Sequence, residues 1–384
     1  CMKFIHTGDW HLGRLFHNLH LTDDQRFTLE GLLRLVEAER AEALVISGDV
    51  FDRAVPPIQA VELLDDILAE LALRLKVPVV MIAGNHDSPV RLQYLNGLVG
   101  RVGVHVVGEV GAEPRGVALR GRDGVEVVFW PLAYTDPETA RCVLACDDIH
   151  THQGVMEAQI SSIRERMHAK ARHVLVGHAF VTGATTCESE RPLTVGGTGE
   201  IPRGVFEGFD YAALGHLHRP QSVSERVRYA GSLLKYSFDE ADHHKSVTVV
   251  ELGGGGSLSI KERELPVRRD LVRLRGPFSY LLNHPEATWS RDAYVEVTLT
   301  DSEAVLDPMD RLRDVYPHIL SLRRETGTAG AGEGGGQTVR GRTTEELFGR
   351  FFHDVTGEVM SGPQEMEVAE VLAEIERSAR EAAR

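Results

Sequence analysis

Five times in this chain a short apolar run stops at a glycine, followed at once by side chains of metal-ligand type. Met2–His6 leads to Gly8-Asp9-Trp10-His11, Ala43–Ile46 to Gly48-Asp49-Val50-Phe51-Asp52, and Val77–Ile82 to Gly84-Asn85-His86-Asp87. Later, Val174–Val176 leads to Gly177-His178, and Tyr211–Leu214 to Gly215-His216-Leu217-His218. Runs this brief and this β-branched read as buried strands. Glycine lets the backbone turn sharply after a strand, and in open α/β sheets ligands bind beyond the strands' carboxyl ends. The repetition points to strand ends that deliver ligands together.

The intervening segments indicate the architecture. Thr22-Asp23-Asp24-Gln25 reads as a helix cap before an apolar stripe at Leu29, Leu32, Leu33 and Val36. Pro56-Pro57 opens a second helix with a stripe at Val61, Leu64, Leu68 and Leu71, and a short helix carries Leu92, Leu95 and Leu98. This βαβαβ rhythm implies parallel strands covered by helices. Residues 104–130 then give short strands, a helix spans 155–171, and a hairpin turns at Gly253–Gly256. Residues 1–265 are therefore expected to form an α/β domain of two packed β-sheets flanked by helices.

Residues 266–325 read as a small α+β domain, with strands near 271–274, 293–299 and 318–323 and a helix at 302–315. Arg268, Arg269, Arg273, Arg275, Arg311, Arg313, Arg323 and Arg324 lie within it, fitting either a nucleic-acid surface or a solvated face. Residues 326–342 form a glycine-rich linker, and residues 343–384 a C-terminal helical tail. One tail helix carries Leu347, Phe348, Phe351, Phe352 and Val355, with Gly357 ending it, and a second carries Val368, Leu372 and Ile375. So short a tail cannot bury this aromatic face on itself, so it reads as a partner-docking piece.

Composition decides less. The net charge of −15 argues against a nucleic-acid partner at face value. However, bound cations would offset the acidic ligands, and arginine makes up 36 of the 42 basic residues, the better phosphate-pairing type. Cys142 and Cys146 have no second pair and read as packing or surface thiols. Cys1 before Met2 reads as a start-site artefact. With no long apolar run and no signal pattern at the amino terminus, a cytoplasmic location without membrane attachment is expected.

Asp9, His11, Asp49, Asn85, His178, His216 and His218 supply oxygen and imidazole donors without a thiolate. That choice favours Mn²⁺, Fe²⁺ or Zn²⁺. Seven side chains exceed the needs of one ion but suit two ions about 3.5–4 Å apart that share a carboxylate. Asp49 is the natural bridge. His86, beside a ligand yet not needed as one, is the candidate catalytic residue, protonating a leaving oxygen or steadying a charged phosphorus.

In their order, Asp-x-His, Gly-Asp-x-x-Asp, Gly-Asn-His-Asp, Gly-His and Gly-His-x-His resemble the calcineurin-like metallophosphoesterase superfamily. Within it the chain resembles the SbcD family, the nuclease subunits of bacterial SbcCD complexes, related to double-strand-break repair nucleases. The narrower likeness rests on Gly48–Arg53, Ala213–His218, Tyr229-Ala-Gly-Ser232, Ser237-Phe-Asp-Glu240 and the tail motif Glu346-Leu-Phe348 with Phe351-Phe352. The resemblance implies a four-layer sandwich followed by a capping domain that positions DNA. It implies a hydrolase with two Mn²⁺ ions, a double-strand exonuclease and single-strand or hairpin endonuclease in DNA repair, recombination and replication. Asp9, His11, Asp49 and His218 would hold one ion, and Asp49, Asn85, His178 and His216 the other. His86 matches the catalytic histidine, whereas Asp52 and Arg53 take no role. The tail would bind an SbcC-type coiled-coil ATPase, and a homodimer would form through Val61–Leu71 and Leu92–Leu98. Two alternatives stand beside this reading, a small-molecule phosphoesterase and a non-catalytic DNA-tethering subunit.

Overall fold

The computed structural model describes residues 1–191, 193, 199–284, 291–325, 348–349, 352–353 and 359–382. Among them, two six-stranded sheets dominate. The first runs in the order Leu258–Glu264, Ser246–Leu252, Met2–Thr7, Ala43–Ile46, Val79–Ile82, Val104–Val107, with the last four strands parallel. The second runs Gln221–Ser222, Val227–Tyr229, Tyr211–Gly215, Arg172–His178, Glu126–Leu132, Val117–Arg120, its four central strands parallel.

Strand alternation explains why the sequence shows apolar runs rather than a polar–apolar pattern. Ile5, Leu44, Ile46, Val79 and Met81 pack outward beneath the helices Thr22–Ala38 and Ile58–Ala69. Their neighbours Phe4, Val45, Val80 and Ile82 face the second sheet and meet Phe129, Val174, Val176, Tyr211 and Ala213. The second sheet is covered outside by Met156, Ile160 and Ile163 of the helix His152–Arg164. The parallel strands at the middle of both sheets are thus buried on both faces, as parallel sheets require, and the result is a helix–sheet–sheet–helix sandwich.

Three local expectations are corrected. Helix Thr22–Ala38 has no side-chain cap. Gln25 turns inward instead, donating to the carbonyls of Trp10 and His11 and to the Tyr236 hydroxyl, and accepting from the Gly13 N–H. In the second helix the buried face is Ala60, Leu63, Leu64 and Ile67, and Val61 points outward. The Leu92–Leu98 helix is broken into Pro89–Leu92 and Asn96–Val99 by Leu95, whose φ is +61°.

After the sandwich comes a sheet of three parallel strands, Leu271–Gly276, Tyr294–Leu299 and Ile319–Arg324. Helices Phe278–Asn283 and Pro308–Arg313 help build its separate core around Val295, Val297, Leu299, Leu312 and Tyr316. It is seated on the sandwich: Tyr294 donates to Asp24 at 3.0 Å, Lys235 pairs with Asp270 at 2.7 Å, and Leu271 and Tyr294 join the sandwich core. Several of its arginines are partnered. Arg273 and Arg323 flank the buried Glu296 at 3.5 and 3.1 Å, and Arg275 pairs with Glu325 at 2.6 Å.

The chain from residue 326 onward forms a separate unit, of which the helix Gly362–Ala382 is described. Phe348 and Phe352 fall on short helical stretches. The linker, Leu347, Phe351, Val355 and Gly357 lie outside the described residues.

Close approach at the strand ends depends on two glycines. A Cβ on Gly215 would lie 2.0 Å from the Ser47 carbonyl oxygen, and one on Gly84 would lie 2.2 Å from Asp49 Oδ1. Because Gly215 meets backbone, Gly215→Ala should destabilise the protein by about 1–3 kcal/mol, the scale of overpacking a tight core. Gly97, whose added Cβ meets nothing within 4 Å, supplies the control: Gly97→Ala should be neutral or slightly stabilising. Urea unfolding of both variants checks the contrast.

Candidate metal centre

All seven donors singled out from the sequence arrive at one buried place, between the carboxyl ends of strands from both sheets. Among the described residues, Asp9, His11 and His218 place ligand atoms within 4.8 Å of one another, as do Asp49, His178 and His216. Asp49 joins the groups, its Oδ2 lying 3.6 Å from His11 Nε2 and 3.5 Å from His178 Nε2. Asn85 Oδ1 sits 2.9 Å from His178 Nε2 and 3.2 Å from His216 Nδ1. The backbone is bent to present these groups. Asp9, His11, Asp49 and His216 have φ of +51°, +46°, +47° and +104°, a region costly for non-glycine residues and found mainly at functional sites.

The hydrogen bonds behind the donors fix which atoms face the centre. Asp9 accepts the His216 N–H on Oδ1 at 2.8 Å, while its buried Oδ2 has no hydrogen-bond partner among the described residues. Asp49 Oδ1 accepts the His86 N–H at 2.9 Å, leaving Oδ2 for the centre. His178 donates Nδ1–H to the Ser47 carbonyl at 2.9 Å, so its Nε2 is the atom aimed at the oxygens of Asn85 and Asp49. His218 Nδ1 faces Ser189 Oγ at 2.7 Å and Glu240 at 3.4 Å, and His11 Nδ1 faces Asp52 at 3.5 Å. The Nε2 atoms of His11 and His218 meet at 3.1 Å, that of His218 as a lone pair where Nδ1–H donates to Ser189 Oγ.

Lone pairs converging on lone pairs repel unless a cation lies between them, and this donor set fits divalent ions of the Mn²⁺, Fe²⁺ and Zn²⁺ kind. The titration behaviour agrees. Burial, with the Asp49 charge beside it, pushes the Asp9 carboxyl well above the usual range. Burial also acts against ionised Asp49, yet His178, His11 and His86 hold it well below that range. For His178 burial is outweighed by Asp49 and Asp9, which raise it to about 9. A proton on His178 thus stands in for a metal cation.

His86 occupies the rim of the same cluster. Its Nδ1–H donates to the Asp52 carbonyl at 2.8 Å, and its Nε2 lies 4.0 Å from Asp49 Oδ2, within ligand-cluster range of His11 and Asp49. Burial lowers its pKa below the ordinary histidine value.

Several supporting residues were not legible as such in the sequence. Asp87 accepts N–H bonds from Val50, Phe51 and Gly84 at 3.0, 2.8 and 2.9 Å, tying the second motif to the third. Burial and the Asp49 charge raise its carboxyl to about 7. Asp52 joins Arg14 at 2.9 Å behind His11; burial opposes its charge, but His11 and Arg14 hold it at about 2. Glu190 accepts the His218 N–H at 2.6 Å. The one signal for Asp52 and Asp87 was their place inside the motifs.

Residues 2–220, more than half of the chain, match the calcineurin-like phosphoesterase family. Residues 267–356 match the SbcD_C family, described as the type 5 capsule protein repressor C-terminal domain. Among solved structures, the protein TT1561 of Thermus thermophilus is similar at 13% identity, covering 68% of this chain and 98% of that one, with a TM-score of 0.38. A dimetal phosphatase from Danio rerio is similar at 14% identity, covering 68% and 96%, with a TM-score of 0.40.

Because His178 is protonated up to about pH 9, a cation bound at its Nε2 must displace that proton. Mn²⁺ binding at about pH 8 should release protons, that of His178 among them, and affinity should rise with pH until His178 titrates. Calorimetry in buffers of different ionisation enthalpy measures the release; its absence would remove His178 from the ligand set.

Proposed function

The chain belongs to the calcineurin-like phosphoesterase family and carries an SbcD-type C-terminal region; from this premise we propose that it is a DNA nuclease dependent on two divalent metal ions. It acts as a double-strand exonuclease and as an endonuclease on hairpins and single strands, beside an SbcC-type ATPase. The observation that carries this reading is the succession within one chain. A phosphoesterase region gathers the donor cluster, and a region matching SbcD_C follows it. A small-molecule phosphoesterase has no need of that second region.

In this reading Asp9, His11, Asp49 and His218 hold one ion, and Asp49, Asn85, His178 and His216 the other, with Mn²⁺ the preferred metal. The ions supply Lewis-acid polarisation of the phosphodiester and a water of lowered pKa. His86 acts at the leaving oxygen. With Nδ1–H committed to the Asp52 carbonyl, Nε2 is the nitrogen left to exchange a proton with substrate. The phosphate's negative charge favours the protonated imidazole, and that proton passes to the departing oxygen.

The remaining parts take supporting roles. The exposed Arg273, Arg275 and Arg323 exchange Glu296 and Glu325 for DNA phosphates. The exposed apolar side chains Ile58, Val61, Val90, Tyr94, Leu95 and Leu98 support a homodimer formed through those two segments. The tail docks on the coiled coil of the ATPase. No helix among the described residues is long and apolar enough to cross a membrane.

The functional test is Mn²⁺-dependent digestion of duplex DNA, hairpin DNA and a chromogenic phosphodiester by the isolated chain. Cleavage of the chromogenic compound without either DNA would favour the small-molecule alternative. His86→Ala should retain two Mn²⁺ ions and DNA binding but lose about 10²-fold or more in cleavage rate. Asp49→Ala should lose the bridged pair of ions. Elemental analysis beside the rate distinguishes the roles, and a metal-free His86→Ala protein would make His86 a ligand.

A further inference from the structure

Two motifs remain without a role, Tyr229-Ala230-Gly231-Ser232 and Ser237-Phe238-Asp239-Glu240. Both converge behind His218. Glu240 is fully buried and accepts from Ser189 Oγ at 2.5 Å, from the Tyr236 N–H at 3.2 Å and from Lys245 Nζ. Lys245, also buried, donates to the His218 carbonyl at 2.7 Å and to Ser232 Oγ at 2.8 Å. Glu240 Oε1 lies 3.4 Å from His218 Nδ1, with Ser189 Oγ nearer at 2.7 Å and itself bonded to Glu240. A carboxylate and a cation are thus buried together against the side of His218 that faces away from the centre.

A carboxylate with a cation also lies behind His11, where Asp52 is 3.5 Å from Nδ1 without a hydrogen bond and is held by Arg14 at 2.9 Å. Among the described residues it is missing on the other side of the centre. His178 Nδ1 is backed by a neutral backbone carbonyl, that of Ser47, and Asn85 offers an uncharged amide oxygen. The Asp9 side therefore has a carboxylate of its own besides the shared Asp49, and a carboxylate behind each of its imidazoles. A carboxylate behind a ligating imidazole orients the ring, fixes its tautomer and raises its basicity toward a metal.

We propose that Glu240, relayed by Ser189 and charge-balanced by Lys245, is a positioning residue for His218, and that it makes the Asp9–His11–His218 side the tighter of two unequal ion sites. This inference rests on the two-ion reading above. The Asp9 side fills first and keeps its ion, and the Asn85–His178–His216 side exchanges its ion with solution.

The test is Mn²⁺ titration of the full chain, with free Mn²⁺ read by electron paramagnetic resonance. The wild-type chain should bind two ions in two classes, separated by about 10-fold or more in affinity. Asn85→Ala should remove the weak class and spare the tight one. Glu240→Gln alone strands a buried lysine charge, so it is paired with Lys245→Met, which removes both charges. The double variant should weaken the tight class by about 10- to 100-fold and leave the weak class unchanged. Ser189→Ala should do so in milder form, and each variant's fold is checked by circular dichroism. If the double variant does not fold, Ser189→Ala carries the test. Two equivalent ions in the wild type, or loss of the tight class in Asn85→Ala, would overturn the proposal. So would an unchanged tight class in the folded double variant or, where that variant does not fold, in Ser189→Ala. Binding of a single ion would instead overturn the two-ion reading, and this inference with it.

Discussion

Acceptor atoms gathered where water is excluded repel one another, and the sandwich holds seven such donors together at its centre. Asp9 and Asp49 are essentially fully buried, and the effective cost of removing an ion from water is several kcal/mol even after relaxation. The Nε2 atoms of His11 and His218 are held 3.1 Å apart, and Asp9 Oδ2 has no hydrogen-bond partner among the described residues. Divalent cations at the centre would reverse both penalties at once. Much else in the fold serves to hold this unfavourable grouping in place: glycines where a side chain would collide, left-handed backbone at Asp9, His11, Asp49 and His216, and hydrogen bonds behind the rings of His178 and His218.

That supporting layer is also how distant parts of the chain are joined. Gln25, at the start of the first helix, grips the carbonyls of Trp10 and His11 and the hydroxyl of Tyr236. Its neighbour Asp24 accepts from Tyr294 of the three-stranded sheet, and Tyr236's neighbour Lys235 pairs with Asp270 at that sheet's entry. The seat of the C-terminal sheet and the braces of the His11 loop therefore alternate along the same two stretches of chain. The arginines of that sheet are not an open basic surface, since three of them already pair with Glu296 and Glu325, Arg273 and Arg323 sharing the one charge of Glu296. Phosphates would have to compete for them.

The donors were legible in the sequence because each follows a glycine at the end of an apolar run, a local pattern that needs no partner to be seen. The sandwich was legible for the same reason, since its strands are apolar on both faces. What supports the donors was not. Asp52 meets Arg14 across 38 residues and His218 meets Glu240 across 22, so a place inside a motif marks each carboxylate but not the partner it finds. Gln25 was misread for a related reason. Thr22–Gln25 has the composition of a cap, but the glutamine gains more by satisfying two buried carbonyls than by closing a turn. Val61 and the break at Leu95 show the limit of periodicity, which finds a helical face but not which residues of it are left to solvent.

The central claim is that this cluster holds two ions bridged by Asp49. Anomalous diffraction from crystals of the chain grown with Mn²⁺ tests it most directly. Two manganese peaks about 3.5–4 Å apart, one beside Asp9, His11 and His218 and the other beside Asn85, His178 and His216, with Asp49 reaching both, is the result predicted. A single peak, or manganese seated away from Asp49, would contradict it.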